Sequence, residues 1–377
     1  MRNVRFIGLD VHAETIAVAV AELGGEVRSL GTVPNRPESV ARLVKKLGKP
    51  EQLRACYEAG PTGYVLYWQL TQLGVKCEVV APTLIPVKAG DRVKTDRRDA
   101  QKLARCYRGG DLTAVWVPDA AHEALRDLVR ARLAAKRDQL RARNRLSKFL
   151  LRHGRRPSEG TKAWSGKYLM WLKSQRFEQV AQQVTLEDYQ HEVEHAAERI
   201  ARLERSIDVA IETLPVKMRA VVEALQSLRG VAQTSAVSIV AELGEVSRFA
   251  GARQLMGYSG AVPWENSSGE RVHRGSISKV GNAHLRRIVV EAAWSYRHRP
   301  AIGHSLKMRQ RHLSARICEM AWKAQHRLHQ RYARFTARGK SKQHAVTAVA
   351  RELLGFIWAI GIEAESGHCA KGMHRVA

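Results

Sequence analysis

Four acidic residues in the first hundred positions have the types and contexts of a metal–phosphate site: Asp10 in VRFIGLDVH, Glu58 in LRACYEAGPTGY, and Asp96 with Asp99 in VKTDRRDAQKLA. Carboxylates that meet at one point repel one another unless divalent cations neutralise them, and hard oxygen donors select Mg²⁺ or Mn²⁺ over zinc. Two such ions about 4 Å apart would clamp the attacking and leaving oxygens of a phosphodiester displacement. Taken singly, Asp10, Asp96 and Asp99 read as caps of turns and of a helix, and Glu58 as a solvated strand-end residue. Their strand-end placements together with the D-x-x-D pair favour the metal reading.

A second stretch, PWENSSGERVHRGSISKVGN, sets Ser267 and Ser268 in a polar, glycine-bearing segment followed by Arg271, His273, Arg274 and Lys279. A hydroxyl there could meet a phosphate whose charge the cations offset. By itself Ser-Ser-Gly is most simply a turn. Arg286 and Arg287 extend the basic character; a solvated basic face is the plain alternative, and phosphate contacts are the favoured one. His12, His273 and His284 receive no catalytic role in a chain with 15 histidines, because scattered histidines usually serve surface or packing. Trp264 could stack on a base or simply pack.

The composition says what such groups would act on. The chain has 377 residues, 45% of them hydrophobic, enough for a sizeable core in two or three domains. Sixty-three Lys and Arg against 36 Asp and Glu give a net charge of +27 and a pI near 10.4, the footprint of a phosphate-binding surface. Nucleic acid is the expected partner. No run of 18 consecutive apolar residues supports a membrane span, and the segment after Met1 lacks a signal-peptide pattern, so a cytoplasmic protein is expected. Cys56, Cys77, Cys106, Cys318 and Cys369 are far apart and never form C-x-x-C, which argues against a disulfide framework or a zinc site.

The elements must bring the carboxylates together. VRFIGLDV, TIAVAVAEL and EVRSLGTV read as three antiparallel strands with a hairpin turn at Gly24-Gly25. A helix PESVARLVKKLG, a strand ending at Glu58, a helix GYVLYWQLTQLG, a strand VKCEVVAP and a helix starting near Asp96 follow. Hairpins followed by strand–helix alternation fit an RNase H-like mixed sheet, with Asp10 and Glu58 leaving neighbouring strands at one sheet end. Asp96 and Asp99, three apart, share a helix face at a helix start, where negative charge is favoured.

Two long helices come next, joined by a looser link containing the loop HGRRPSEGTK. The first, roughly 121–152, carries Leu125, Val129, Leu133 and Leu140 among many arginines. In the second, Leu186, Val193, Ile200 and Ile207 fall seven apart, with Tyr189, Ala196, Leu203 and Ala210 on the other seam, a coiled-coil pattern. Residues 122–156 hold 12 basic and 3 acidic side chains, net +9, and 186–212 hold 3 and 8, net −5. Opposite charge favours their pairing, within one chain or between two. The segment LQSLRGVAQTSAVSIVAELG then has the layout of a helix-hairpin-helix turning at Gly230, whose second helix could hold a DNA phosphate on its free N–H groups. Ala232 stands where a second glycine would allow closest approach.

The stretches GLDVH, YEAGPTGY, KTDRRDAQKLA, ARQLMGYSGAVPWENSSGE, ISKVGNAHLRR and AVTAVARELL, in this order, resemble the Piv/MooV-type insertion-sequence transposases, the IS110 family, with a RuvC-like DEDD domain and a serine transposase domain. The resemblance implies that Asp10, Glu58, Asp96 and Asp99 are the metal-binding DEDD set. It also implies that P-x-x-x-x-S-G from Pro263 makes Ser268 the nucleophile, with Ser267 the adjacent fallback. It further implies a bridge-RNA-guided recombinase that cuts and rejoins donor and target DNA through a 5′-phosphoserine link, assembled as dimers and tetramers. High charge and few aromatics, 6%, suit a protein that leaves sequence reading to base pairing.

The resulting expectation is an α/β RNase H/RuvC-like domain with a mixed sheet over 1–118 and a coiled-coil region over 119–214. A mostly α-helical serine-bearing transposase domain over 215–362 and a disordered tail over 363–377 complete it. The alternatives are a RuvC-like, metal-dependent junction endonuclease without a covalent intermediate, and a non-catalytic nucleic-acid-binding protein whose acidic cluster is structural.

Overall fold

The computed structural model describes residues 4–87, 94–269 and 271–373, with backbone only for Arg274 and for 368–373. The chain forms two compact units, Met1–Val117 and Pro118–Ala377.

In the first unit, β1 (Arg5–Val11), β2 (Thr15–Glu22) and β3 (Val27–Pro34) form an antiparallel meander, followed by α1 (Pro37–Leu47), β4 (Leu53–Glu58), α2 (Val65–Gln72), β5 (Lys76–Val80) and α3 (Asp96–Gly109). The sheet order is β3-β2-β1-β4-β5, with β4 parallel to both β1 and β5. The period-2 rule assigns its two faces. Ile7, Leu9, Ile16, Val18, Val20, Leu53, Ala55 and Tyr57 pack against the apolar sides of α1 and α2. On the other face Ala17, Ala19 and Ala21 meet Ala100 and Ala104 of α3, and Cys56 meets Leu103. Small residues on this face let α3 lie very close to the strands.

Gly8 makes the closeness extreme. A Cβ built there would stand 2.2 Å from the Ala100 carbonyl oxygen and 2.4 Å from the Ala104 nitrogen, backbone atoms that cannot turn aside. Gly8→Ala is therefore expected to lower the stability of this unit by about 1–3 kcal/mol through overpacking and to push α3 away from β1. A thermal melt unchanged from wild type would refute it.

The second unit begins with α4 (Ala120–Arg152), α5 (Gly166–Lys173) and α6 (Val180–Glu212). Helices α4 and α6 pair within the chain. Arg132 meets Glu204, Asp138 meets Arg199 and Arg145 meets Glu192, so the partners descend along α6 as they ascend along α4 and the pair is antiparallel. Leu186, Val193, Ile200 and Ile207 are the buried residues of α6. The α4 stripe differs from expectation: Leu140 is 59% exposed, while Ala135, Gln139, Ala142, Leu146 and Phe149 turn inward. At 3.6 residues per turn Leu140 stands about 60° round the helix from Leu125, off the stripe that Gln139, Ala142 and Leu146 continue. Helix α5 interrupts the link that reads as irregular in the sequence; Tyr168 and Leu172 close a small distal core with Leu146, Phe149 and Leu186.

Helices α7 (Val216–Leu225), α8 (Gln233–Leu243) and α9 (Ala252–Tyr258) precede a two-stranded hairpin, β6 (Pro263–Glu265) and β7 (Arg274–Ile277). Then follow α10 (Ala283–Ala293), α11 (His304–Gln310), α12 (Ala315–Ala337) and α13 (Lys342–Met373). Val237, Val240, Leu285, Val289, Leu328, Val349, Leu353 and Ile357 belong to one large core. The stretch Lys342–Gly367 is long and apolar enough to cross a membrane by length and composition, with mean hydropathy 1.6, yet half of that window is buried in the unit, as in a core helix. Helix α13 also continues through 363–373, where the sequence reading expects a disordered tail: Ala364 still docks in the core and Glu365 accepts the Val246 and Ser247 N–H groups at 2.7 and 2.9 Å. Residues 374–377 lie outside the described residues. Cys56, Cys77, Cys106 and Cys318 form no disulfide among the described residues, and the Cys369 side chain lies outside them.

One buried charge ties the core to α4. Glu242 of α8, 1% exposed, receives Arg130 Nε and Nη2 at 2.8 and 2.9 Å and Asn282 Nδ2 at 2.8 Å, and Arg126 stands 3.9 Å away. Burial pushes its carboxyl up, but these donors outweigh burial and hold it below its ordinary value. Glu242→Gln should cost about 3 kcal/mol, since both arginines lose their carboxylate and Arg126 is itself buried. With the native carboxyl depressed, the contribution is present above the ordinary glutamate range and is lost as pH falls through the depressed value. Denaturant melts at neutral and acidic pH should show the wild-type advantage shrinking on acidification.

Candidate active site

The sheet's register puts two acids side by side. Leu9 of β1 pairs with Tyr57 of β4, so the next residues, Asp10 and Glu58, leave neighbouring parallel strands at the same level. Strand alternation turns both away from the Leu9/Tyr57 layer, toward the face that α3 covers. Helix α3 begins there: Thr95 caps it by accepting the Arg98 N–H at 3.3 Å, and Asp96 and Asp99 fill its first turn.

Asp10 Oδ2 and Asp96 Oδ1 lie 3.4 and 3.5 Å from His12 Nε2, and one ligand atom from each residue falls within 4.8 Å of the others. Burial raises the Asp10 carboxyl above its ordinary value; His12 draws it down, and Asp99 and Asp96 push it up again. Asp10 thus feels the charge of both Asp99 and Asp96. The Glu58 side chain is exposed and stands outside the tight cluster. Asp10, with 20% side-chain exposure against 63% for Asp96, forms the inner wall and Asp96 the mouth.

His12 is the residue the sequence reading passes over. Its N–H donates to the Thr15 carbonyl at 2.8 Å, and its own carbonyl accepts from Asn35 Nδ2 at 2.8 Å, so the turn from β1 into β2 holds it over the carboxylates. The signal was local: in D-x-H at a strand end, alternation returns both side chains to one side. Two carboxylate oxygens and an imidazole nitrogen at these separations are a donor set a divalent cation accepts.

The serines occupy the end of the β6–β7 hairpin. Pro263 pairs with Ile277 and Glu265 with Arg274, and Ser268 and Arg271 exchange backbone hydrogen bonds of 3.2 Å in both directions. The two hydroxyls sit differently. Ser267 Oγ donates to Glu265 Oε1 at 3.0 Å and accepts the His273 N–H at 3.2 Å, so it staples the turn. Ser268 is exposed beside Gly269, whose φ of 57° suits a glycine. Trp264 lies over Gly275, where a Cβ would stand 2.1 Å from its ring, and meets His273 at 5.2 Å between centroids, while 40% of it stays exposed.

The other candidate contacts divide. Arg271 and Lys279 are exposed, and the Arg274 side chain lies outside the described residues. Arg286 Nη1 donates to the Ser259 carbonyl at 2.7 Å, bracing the turn at Gly260, and Arg287 pairs with Glu291 one helical turn on at 2.6 Å. Gly230, φ 82°, packs so tightly that a Cβ would meet the Ala292 carbonyl oxygen at 2.4 Å, a structural reason for glycine there. Near the start of α8, Gln233 Nε2 donates to Asp208 Oδ1 at 2.8 Å, which brings an acid close to the helix end proposed for a phosphate. His284 sits half-buried, held below its ordinary value by burial and, after an opposing pull from Glu242, by Arg130, Arg137 and Arg287.

Comparison with known proteins places this geometry. Residues 7–154, spanning all four carboxylates, match a family model of the IS110 DEDD type described as "Transposase", and 222–307, spanning the serine hairpin, match "Transposase IS116/IS110/IS902 family". The chain is 47% identical over 363 residues to "Putative transposase y4qE" of Sinorhizobium fredii, covering 95% of this chain and 89% of the relative. It is 31% identical over 337 residues to "Transposase for insertion sequence element IS1533" of Leptospira borgpetersenii, covering 88% and 96%. A third relative, "Transposase for insertion sequence element IS1111A" of Coxiella burnetii, is 24% identical over 306 residues. The chain belongs to the IS110 family of insertion-sequence transposases.

Proposed function

We propose that this transposase is a bridge-RNA-guided DNA recombinase that cuts and rejoins strands through a phosphoserine at Ser268, assisted by Mg²⁺ or Mn²⁺ at Asp10, Glu58, Asp96 and Asp99. The observation that carries the reading is the convergence of Asp10, Asp96 and His12 beside the Glu58 strand end. The strand order supports an RNase H/RuvC-like assignment for 1–118, with the paired helices of 119–214 as coiled-coil assembly elements and 215–362 as the serine-bearing domain.

The residues fit a divalent cation, because the Asp10 carboxylate, disfavoured by burial and by Asp99 and Asp96 beside it, gains from a positive charge among them. Such an ion would stabilise the negative charge that develops on the phosphate and on the departing oxygen. Asp10 and Asp96 would hold that ion and Asp99 would add charge, while Glu58, at the end of the neighbouring strand, would have to turn toward it from outside the cluster. Ser268 Oγ forms the new bond to phosphorus as the bond to the 3′ oxygen breaks, and the serine proton ends on that oxygen. One phosphodiester is exchanged for another, so a 3′-hydroxyl can reverse the step and rejoin DNA without an energy source. Engagement of Ser267 in the turn supports Ser268 as the attacking residue. In the assembly, dimers that pair into a tetramer would bring Ser268 of one subunit to the carboxylates of another.

The test mixes protein, Mg²⁺, transcript of the flanking DNA and labelled junction DNA, and resolves the products on a denaturing gel. A DNA strand that migrates with the protein supports the covalent route. Cleavage without an adduct would instead establish the hydrolytic endonuclease.

A further inference from the structure

Beside the serine hairpin lies a concavity that the reaction above does not use. Helices α12 and α13 fold back on each other through a turn at Gly339, φ 72°, where the Lys340 N–H donates to the Phe335 carbonyl at 3.1 Å. That turn, the inner end of the β6–β7 hairpin and the loop after it enclose a cleft of about 610 Å³. Lys279, Arg331, Lys340, His344 and Arg351 line it, with Phe335 among its apolar residues, and none of its described lining residues is acidic. Arg331 is partly neutralised by Glu352 at 2.6 Å. Among the described residues no ion pair engages Lys279, Lys340 or Arg351.

Two placements run against stability. Lys340 and Lys342 stand at the start of α13, whose first turn holds no acid, although a helix N-terminus disfavours cations. Lys279 has φ 57°, a left-handed backbone that asparagine or glycine adopts more readily, and its N–H is held by the Gly260 carbonyl at 3.1 Å. A cation kept at each of these places concentrates positive potential in one concave site. Ser341 caps α13, its Oγ lying 2.8 Å from His344 Nδ1 and 3.4 Å from the His344 N–H, which leaves His344 Nε2 as the ring's other polar atom.

We propose that this cleft binds the sugar–phosphate backbone of a single DNA strand, the stretch flanking the phosphate that Ser268 attacks, with Lys279, Lys340 and Arg351 on phosphates and Phe335 against a base or sugar. The assignment rests on the reading of Ser268 for the identity of the strand, because the cleft shares β7 and its following loop with the serine hairpin. Backbone contacts of this kind position a strand without reading its sequence.

The experiment measures binding without chemistry: fluorescence anisotropy of a labelled single-stranded DNA oligonucleotide with the full-length protein, without divalent metal, across a salt series. Lys340→Ala combined with Arg351→Ala should weaken binding about tenfold and reduce the slope of log affinity against log salt by about 1.4, two contacts at about 0.7 each. Lys340→Arg combined with Arg351→Lys should restore the wild-type slope, which separates charge from folding. Lys45→Ala with Lys46→Ala on α1 removes the same charge elsewhere and should leave binding unchanged. An unchanged slope in the cleft variant overturns the site, as does an equal loss in the α1 variant. Loss of affinity for single-stranded RNA with DNA binding intact overturns the DNA assignment. Ser268→Ala should bind like wild type, so failure of the covalent reading and failure of the cleft are seen in different assays.

Discussion

Ser268→Ala should give no protein-linked DNA and a fall in strand cleavage of at least about 10³-fold, because it deletes the proposed nucleophile and leaves the hairpin's backbone pairing with Arg271 intact. Ser267→Ala gives the contrast. Its hydroxyl bridges Glu265 and the His273 N–H, so its loss loosens the turn by about 1 kcal/mol and slows adduct formation without abolishing it. Adduct formation by Ser268→Ala, and its absence in Ser267→Ala, would transfer the role to the neighbour. Cleavage undiminished in both would eliminate serine chemistry.

Asp10→Asn should reduce divalent-ion binding, read by calorimetry on the protein alone, and lower cleavage roughly 10³-fold, about 4 kcal/mol of barrier. Asparagine keeps the shape of the side chain but not the charge, and Asp10 is more enclosed than Asp96. The metal-free protein should melt at the wild-type temperature or slightly above it, since one member of a mutually repelling group has gone. A purely structural carboxylate would behave in the opposite way: lower melting with cleavage retained. That pattern would favour the non-catalytic reading.

Much of the first unit was legible because its signals are local. TIAVAVAE alternates large and small residues, and that alternation sends Ile16, Val18 and Val20 to one face and three alanines to the other. Asp10 and Glu58 could be placed at strand ends because each closes an apolar run. The second unit was less legible. The repeat from Leu186 to Ile207 is regular enough to identify a buried seam, whereas α4 mixes arginines into its inner face, so Leu140 reads as core and is not. Hidden most completely was the Glu242 network, whose partners Arg126, Arg130 and Asn282 are remote in sequence. Arg286 reads as a free cation, yet its carbonyl partner at Ser259 follows only from the packing of α10 on the Gly260 turn. His12 was available from spacing alone, but fifteen histidines gave no reason to choose it.

The antiparallel arms α4 and α6, each 33 residues and so roughly 50 Å long, hold a small core at their far end and join the main one at their base. Because the seam recurs every seven residues and the ion pairs run in opposite order along the arms, removing one repeat from both would bring the far end about 10 Å closer without turning it to another side. Arm length is thereby a dimension that evolution can lengthen or shorten in fixed steps, like the notches of a ruler, while both ends keep their interiors.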